Sequence, residues 1–297
     1  MTPIRKIPLF LSVLIVATAF ATTMAYTAEP PQSGTDTYYD VVREAAPGLP
    51  GWTVYRPANL TSGIKGKLPI VVWSNGACTI SNDGYVYFLT QIAAQGFVVV
   101  AFGAPDEHAS PNGVAVADRL TTAIDWATSS PGHGGPKYFN QLDASKIATA
   151  GHSCGGVDAE YTAAIDPRVK TAVILNSGFQ PDGMCGLSGP LACSRSLIPD
   201  LNGPVIFISG GPTDVAHNNS IANYNLATVP AVLAFHATAG HSGFYGSASR
   251  TVQLQAIRAV VEWLDGTLNG DAEALQFLTG PGGLAATSGW TVQSKGF

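Results

Sequence analysis

The sequence contains little charge. Only 12% of its 297 residues are charged, about half the usual share, and 15 Lys and Arg stand against 20 Asp and Glu, for a net charge of −5. It has no run of Lys or Arg, which excludes the electrostatic footprint of a nucleic-acid-binding protein. Its hydrophobic share of 46% excludes a disordered chain, which combines low hydrophobicity with high net charge. We therefore expect a folded, weakly charged protein without a nucleic-acid partner.

Long apolar runs are also missing outside the N-terminus. Two basic residues precede an apolar run from Ile7 to Ala21, which is shorter than the roughly 20 residues of a membrane span. A basic start, a short apolar stretch and small residues after it are typical of a secretory signal peptide. We therefore expect a signal peptide over residues 1–25, cleaved after Ala21, Ala25 or Ala28, and an exported mature protein, secreted or periplasmic, with no membrane partner.

The segment after the signal peptide is rich in Pro, Ser and Thr. Residues 26–50 therefore predict an extended N-terminal arm. The remainder, residues 51–297, contains no internal repeat and no second linker, so it predicts a single domain. A chain of this length is long enough to bury a large hydrophobic core.

Short β-branched runs alternate with helix-compatible segments through the rest of the chain. Continuous apolar runs predict strands buried on both faces, at Leu68–Ser74, Phe97–Phe102, Lys146–Ala150, Val169–Leu175, Pro204–Ser209 and Val229–Phe235. The segments between them predict helices at Tyr85–Gln95, Val114–Ala127, Gly155–Ala164, Asn218–Leu226 and Ala248–Leu264. Strands that alternate with helices predict an α/β fold, in which a mostly parallel central sheet carries helices on both faces.

A serine lies where one predicted strand meets a helix. The Lys146–Ala150 strand runs into Gly151-His152-Ser153-Cys154-Gly155, which opens the next helix. This G-x-S-x-G pattern between a strand and a helix is typical of a nucleophile elbow, whose glycines permit a strained turn. Catalytic residues of such sheets gather at the carboxyl ends of the strands. The pattern predicts Ser153 as a nucleophile.

Two further strand-end loops carry an acid and a histidine. Asp214 follows the predicted strand Pro204–Ser209, and His241 follows the predicted strand Val229–Phe235. A serine hydroxyl becomes an effective nucleophile only when a base takes its proton, and a third group must orient that base. We predict that Asp214 orients His241, which acts first as general base and then as general acid.

The remaining histidines and two further acids are interpreted as structural or surface residues. This group comprises His108, His133, His152, His217, His236, Asp158 and Asp166. We expect His152 to pack under the elbow, and we expect Asp158 and Asp166 to lie on a solvated face on or after the helix that follows Ser153.

The negative charge that develops on an attacked carbonyl needs backbone N–H donors, which form an oxyanion hole. In a nucleophile elbow one donor is the residue after the nucleophile, here Cys154. The second comes from the loop after the Leu68–Ser74 strand, where Gly76 and Ala77 are both candidates. The sequence leaves the choice between Gly76 and Ala77 open.

Four cysteines remain after the signal peptide: Cys78, Cys154, Cys185 and Cys193. Their spacing is not the C-x-x-C of a structural zinc site, and an even number in an oxidising compartment favours disulfides. Because both segments of the predicted oxyanion hole carry a cysteine, we hypothesise a Cys78–Cys154 bridge, with Cys185–Cys193 as the second. Two buried free thiols are the alternative.

In order along the chain, the stretches VVWSNGAC, QGFVVVAFG, GHSCGG, GGPTD and GHSGF resemble the α/β-hydrolase superfamily over essentially the whole mature chain. Within it the chain is similar to secreted single-domain esterases of the dienelactone hydrolase, acetylhydrolase and cutinase-like polyesterase branch. The resemblance implies an α/β-hydrolase fold, a Ser153–His241–Asp214 triad and no cofactor. No long insertion separates the predicted strands Val169–Leu175 and Pro204–Ser209, so we expect no large lid domain. Cutinase-like polyesterases typically carry an aromatic residue where this chain has Ala77, and a tryptophan in the region of Asn176–Phe179.

The reaction that the resemblance implies is that of a serine carboxylester hydrolase, which forms an acyl-enzyme. The strand-end loops carry few charges, so we expect a neutral or apolar ester, small or polymeric, with Asn75, Phe179 and Phe244 as substrate contacts. A serine peptidase or amidase of the same fold and a non-catalytic binding protein are the alternatives. We expect a monomer that needs neither a metal nor a cofactor.

Overall fold

One sheet of ten strands organises the described part of the chain in the computed structural model. The structure describes residues 24–26, 38–60, 66–108, 113–129, 137–138, 140–181, 184, 189–245 and 249–297. The strands are β1 (Met24–Tyr26), β2 (Val41–Ala45), β3 (Trp52–Pro57), β4 (Leu68–Ser74), β5 (Val98–Phe102), β6 (Leu142–His152), β7 (Val169–Leu175), β8 (Val205–Ser209), β9 (Ala231–His236) and β10 (Trp290–Lys295). Their order across the sheet is β1-β2-β3-β5-β4-β6-β7-β8-β9-β10.

The middle of the sheet is parallel. β5, β4, β6, β7, β8 and β9 pair in parallel in that order, whereas β1, β2 and β3 at one edge and β10 at the other pair antiparallel. Every residue of β4 is buried, as expected for a strand covered on both faces. Parallel pairing brings the carboxyl ends of β4, β6, β8 and β9 to the same edge, so the loops that follow them can meet there.

Within the described residues, six α-helices cover the two faces of the sheet. They are α1 (Val86–Ala93), α2 (Arg119–Thr128), α3 (Cys154–Ile165), α4 (His217–Leu226), α5 (Arg250–Leu264) and α6 (Ala272–Thr279). α2, α3 and α4 contribute to one hydrophobic core and α1, α5 and α6 to a second, on opposite faces of the sheet. Short 3-10 helices lie at Gly76–Cys78, Asp83–Tyr85, Pro190–Cys193, Arg195–Asp200 and Leu284–Ala286, and a π-helical turn lies at Asp265–Asn269. The predicted α/β fold with a mostly parallel sheet is confirmed.

One strand of the sheet lies in the segment expected to be an N-terminal arm. Residues 26–50 were expected to form an extended arm, but β2 lies within this range, is buried except for its last residue and pairs with β3. β3, β10 and α6 are further elements that the sequence patterns do not predict. In the described residues, no helix combines the length and the apolar character that a membrane crossing requires.

Candidate active site

Ser153 lies in a strained turn between β6 and α3. β6 ends at His152 and α3 begins at Cys154, and Ser153 between them has φ 52° and ψ −121°, a conformation that residues with a Cβ rarely adopt. A Cβ at Gly151 would collide with the backbone of Gly155, so the turn closes this tightly only with glycine. The strand–turn–helix geometry predicted from the G-x-S-x-G pattern is therefore present.

The three predicted catalytic residues lie next to one another. His241 Nε2 is 2.8 Å from Ser153 Oγ, and His241 Nδ1 is 2.7 Å from Asp214 Oδ1. Ser153 follows β6, Asp214 follows β8 and His241 follows β9, so three carboxyl ends of the parallel sheet supply these side chains. The arrangement has the distances that proton transfer between a serine and a histidine requires.

Asp214 is held as a carboxylate. Its side chain accepts hydrogen bonds from the N–H groups of Gly210 (3.0 Å) and Ala216 (2.9 Å) and from Asn176 Nδ2 (2.8 Å), in addition to His241. Burial by itself would raise the pKa of Asp214, but the bond from His241 and these other donors lower it to about 2. Asn176 follows β7 and lies in no motif, so the sequence patterns do not identify its role.

The ionised aspartate determines which nitrogen of the histidine carries a proton. A carboxylate only accepts hydrogen bonds, so His241 Nδ1 donates to Asp214. In the neutral imidazole, Nε2 is then an acceptor, and the hydroxyl of Ser153 donates to it. This tautomer is the one in which the histidine can take the serine proton.

Two backbone N–H groups border the serine. Cys154 is the first residue of α3, and Ala77 lies in the 3-10 helix Gly76–Cys78 with φ 52°. The N–H of Gly76 donates to Tyr85 Oη at 2.9 Å, whereas the N–H of Ala77 has no hydrogen-bond acceptor among the described residues. Of the two candidates that the sequence leaves open, Ala77 is therefore the better placed donor.

A disulfide joins these two segments. Cys78 and Cys154 are bonded, with their Cα atoms 5.3 Å apart, so the hypothesised pairing is confirmed. Cys193 is disulfide-bonded as well, which excludes the free-thiol alternative for these three cysteines. Cys185 lies outside the described residues, so the Cys185–Cys193 pairing stays a prediction.

A cavity of about 700 Å³ lies over the serine. Its lining residues are Gly76, Ala77, Tyr85, Gly113, His152, Ser153, Cys154, Val157, Asn176, Ser177, Gly178, Gln180, Val215, Ala216, Asn219, His241 and Ser242. No Asp, Glu, Lys or Arg of the described residues borders it, so the cavity suits a neutral ligand. The same part of the chain contains no group of three or more His, Cys, Asp or Glu side chains placed to hold a metal ion.

The three predicted substrate contacts do not line this cavity. Asn75 is fully buried, and its amide donates to the carbonyl oxygen of Phe102 at 2.8 Å. Phe179 is fully buried in one hydrophobic core, and Phe244 is buried in the other, where it stacks on Trp290. The two phenylalanines anchor their loops by burying apolar surface, whereas Asn75 anchors its loop through hydrogen bonds of its amide.

Two acids expected on a solvated helix face are buried instead. Asp158 accepts hydrogen bonds from Ser74 Oγ and from Arg119, both at 2.6 Å. Asp166 pairs with Arg168 at 2.6 Å and is also buried. α3 packs against both the sheet and α2, so Asp158 pairs with Arg119 of α2 instead of facing solvent, and Asp166, directly after α3, pairs with Arg168.

Three of the other histidines are not hydrogen-bonded to Ser153. His217 Nδ1 lies 2.8 Å from Ser209 Oγ, His108 is exposed, and His236 is half-buried at the end of β9. His133 lies outside the described residues.

His152 connects the elbow with two other segments. Its Nδ1 is 2.7 Å from Tyr85 Oη, and its Nε2 is 2.9 Å from the carbonyl oxygen of His241. Burial lowers the pKa of His152 to about 4, so the ring is neutral at neutral pH. Besides packing under the elbow, His152 thus makes two hydrogen bonds for which the sequence gives no signal.

A buried carboxyl supports the cavity wall. Glu160 in α3 accepts hydrogen bonds from the N–H of Phe179 at 2.9 Å and from Asn223 Nδ2 at 3.0 Å. Burial raises the pKa of Glu160 to about 8, although these bonds act in the opposite direction. Arg195 donates to the carbonyl oxygen of Phe179 at 2.6 Å. The network fixes the backbone of residues 178–180, which borders the cavity.

The fold and the site together define the class of protein. A mostly parallel sheet with helices on both faces, a serine at a strand–helix turn, and a histidine and an aspartate beside it are features of the α/β-hydrolases. The family described as PET hydrolase-like matches residues 31–289. The chain belongs to this PET hydrolase-like family.

A curated relative gives a shorter match. The protein named Hydrolase LUC6, from Fusarium sp, is 30% identical over 141 residues, which cover 45% of this chain and 32% of the fungal protein. The chain therefore matches about a third of the length of that relative.

Proposed function

We propose that this chain is an exported serine carboxylester hydrolase that acts on neutral or apolar esters. In this proposal Ser153 is the nucleophile, His241 the general base and acid, and Asp214 the group that orients the histidine. The observation that carries the proposal is the position of His241, whose two ring nitrogens lie 2.8 Å from Ser153 Oγ and 2.7 Å from Asp214 Oδ1. Such an arrangement serves nucleophilic catalysis on acyl groups.

Acylation would begin when Ser153 Oγ attacks the ester carbonyl carbon while His241 Nε2 accepts its proton. The carbonyl oxygen becomes an oxyanion, and the backbone N–H groups of Ala77 and Cys154 would stabilise its charge. The tetrahedral intermediate then collapses, and the bond to the alcohol oxygen breaks. His241 gives its proton to the departing alcohol, so the acyl group remains on Ser153.

Deacylation repeats these steps with water. His241 takes a proton from a water molecule, whose oxygen attacks the acyl-enzyme carbonyl carbon. The carboxylic acid leaves, and the proton returns to Ser153 Oγ. Throughout, the low pKa of Asp214, about 2, keeps its carboxylate ionised beside the imidazolium that forms in each step.

The uncharged cavity supports a neutral substrate. Ala77 and Gly178 border it without an aromatic side chain, and Phe179 is buried away from it. Tyr85 is the one Phe, Tyr or Trp side chain among the described residues that line the cavity, so little aromatic surface is available to stack on the rings of a polymer. The family description keeps a polymeric ester within the proposal, but we favour a small neutral ester as the better substrate.

The mechanism is tested by Ser153→Ala. We expect this variant to lose turnover of p-nitrophenyl acetate and labelling by a fluorophosphonate, because both need the Oγ nucleophile. Ser145→Ala is a matched control, since Ser145 is exposed and its hydroxyl bonds to the carboxylate of nearby Asp143. Full activity in Ser153→Ala would refute the mechanism, and failure of the wild-type protein to react with either reagent would favour a binding protein.

The substrate class is tested with a panel of esters from acetate to long acyl chains, together with polymer films and the matching amides. We expect the highest kcat/KM for small neutral esters and slow turnover of amides. Faster cleavage of amides than of esters would instead support a serine peptidase or amidase.

A further inference from the structure

One chain of hydrogen bonds crosses three segments of the candidate active site. The N–H of Gly76 lies 2.9 Å from Tyr85 Oη, which in turn lies 2.7 Å from His152 Nδ1. His152 Nε2 lies 2.9 Å from the carbonyl oxygen of His241. These hydrogen bonds thus join the loop after β4, the elbow after β6 and the loop after β9 that carries His241.

The donor and acceptor capacities of these groups determine which atom donates each hydrogen bond. A carbonyl oxygen only accepts, so His152 Nε2 carries a proton and donates to His241. Because the ring is neutral, its Nδ1 has no proton and accepts from the hydroxyl of Tyr85. The same hydroxyl oxygen accepts from the backbone N–H of Gly76. Tyr85 is therefore a donor on one side and an acceptor on the other.

The surroundings hold the Tyr85 hydroxyl in place. A Cβ at Gly76 would collide with this hydroxyl and with the ring of His152, so glycine is needed for their close approach. The ring of Tyr245 packs against both partners, at 4.9 Å from the Tyr85 ring and 4.7 Å from the His152 ring. The hydroxyl position is thus set by packing as well as by hydrogen bonds.

The two ends of this series of hydrogen bonds, Gly76 and His241, lie next to the groups of the proposed reaction. Gly76 precedes Ala77, whose N–H is the proposed oxyanion donor, and the bond from His152 fixes the main chain of the proposed base. We propose that Tyr85 is a positioning residue, which couples the Ala77 oxyanion donor to the base His241. This inference rests on the proposed function, since it presupposes an oxyanion next to Ser153.

Tyr85→Phe keeps the ring but removes both hydrogen bonds of the hydroxyl. Gly76 and His152 then each lose a partner, and the N–H of Ala77 is less firmly placed. Removal of an oxyanion donor costs about 10²- to 10³-fold in kcat, so its displacement should cost about 10- to 100-fold. KM should stay within about twofold, because the oxyanion forms only in the transition state.

The experiment measures kcat per active site with p-nitrophenyl acetate, after titration of active sites with a p-nitrophenyl phosphonate. Tyr85→Phe should titrate fully and turn over slowly, whereas a merely structural role would lower the titrated fraction. Tyr245→Phe is the matched control, since its hydroxyl has no hydrogen-bond partner among the described residues. We expect its kcat per site to stay within about twofold of the wild type.

A kcat per site in Tyr85→Phe within about twofold of the wild type would overturn the inference, as would an equal loss in Tyr245→Phe. A wild-type protein that neither turns over the ester nor reacts with the phosphonate would overturn the proposed function, and this inference with it. The two failures are therefore distinguishable.

A second pair of variants covers the case in which Tyr85→Phe does not fold. In His152→Gln the amide can still accept from Tyr85 and donate to the His241 carbonyl oxygen, whereas in His152→Leu it can do neither. We expect kcat per site to be about tenfold higher in the glutamine variant than in the leucine variant. Equal values would contradict a role for the hydrogen-bond chain.

Discussion

At Asp214, four hydrogen-bond donors act on one carboxylate. Asp214→Asn keeps the shape of this side chain but replaces one oxygen by an NH₂ group, so His241 loses the anion that fixes its tautomer. We expect kcat for p-nitrophenyl acetate to fall about 10³- to 10⁴-fold. Steady-state kinetics at mildly alkaline pH would measure the loss, with circular dichroism to verify the fold. A kcat within about tenfold of the wild type would contradict the role of Asp214.

The same substitution has a consequence for acid stability. The pKa of Asp214, about 2, lies below the ordinary value of 3.8, so folding favours the ionised form. The stabilisation is complete above the ordinary value and is lost as the pH falls through about 2, where the folded state also takes up the proton. Over that range, the difference in unfolding free energy between the wild type and Asp214→Asn should shrink by about 2 kcal/mol, measured by urea denaturation.

At the residue scale, the sequence predicts the residues of the candidate site that lie in or beside a recognisable motif and does not predict those that lie in none. The proximity of Ser153, Asp214 and His241 could be predicted because each follows a recognisable strand. Asn176 and Tyr85 could not be identified in the same way, because their bonds are made to residues 38 and 67 positions away. A motif reports the neighbourhood of a residue in the sequence, whereas these two side chains act across loops.

At the scale of elements, the 3-10 helix Gly76–Cys78 is held by contacts outside its own backbone. Ala77 and Cys78 have φ of 52° and 50°, which is unfavourable for residues that carry a Cβ. The N–H of Gly113 donates to the carbonyl oxygen of Ala77 at 2.8 Å, and the disulfide fixes Cys78 to the start of α3. The bridge therefore opposes relaxation of this strained segment.

Replacement of both bridging cysteines by serine should weaken catalysis and stability together. In C78S/C154S we expect kcat to fall about tenfold or more, because the proposed oxyanion donors lose their common anchor. Loss of a cross-link over a separation of 76 residues should cost about 4 kcal/mol of unfolding free energy by chain entropy. Kinetics and urea denaturation would measure both effects. C185S/C193S, which removes the predicted second bridge, is the control, and an unchanged kcat in C78S/C154S would contradict the prediction.

The strands differ in how far their sequences predict them. β4 and β7 coincide with their predicted ranges, because strands covered on both faces are mostly apolar and nearly all of their residues are buried. The sequence pattern does not predict β2, because Arg43 and Glu44 interrupt its apolar residues, although both are buried. Arg56 lies 2.8 Å from Glu44, and Asp83 lies 3.1 Å from Arg43. These charges are compensated only by partners that the fold brings to them, so a local pattern cannot reveal the strand.

At the scale of the whole molecule, the N-terminal strand bears on export. β1 (Met24–Tyr26) pairs with β2 inside the region predicted to be processed. Of the three predicted cleavage sites, the one after Ala21 leaves β1 intact, whereas cleavage after Ala25 or Ala28 removes part or all of it. We therefore expect the protein, expressed with its own N-terminus in a secreting bacterial host, to be exported and to begin at Thr22. Mass spectrometry of the exported fraction would measure this, and an uncleaved chain kept in the cytoplasm would contradict it.

The position of the site in the sheet also ties activity to folding. The loops around the serine follow β4, β6, β8 and β9, which lie within five consecutive strands of the sheet. Ser153 and His241 are 88 residues apart in sequence, so no single helix–strand unit contains both. Bringing such distant residues together costs loop-closure entropy, which the packing of the assembled strands must offset. A chain that has formed only its helices and local strand pairs does not yet place Ser153 next to His241. Turnover of an ester would therefore report that the parallel strands have assembled in the correct order.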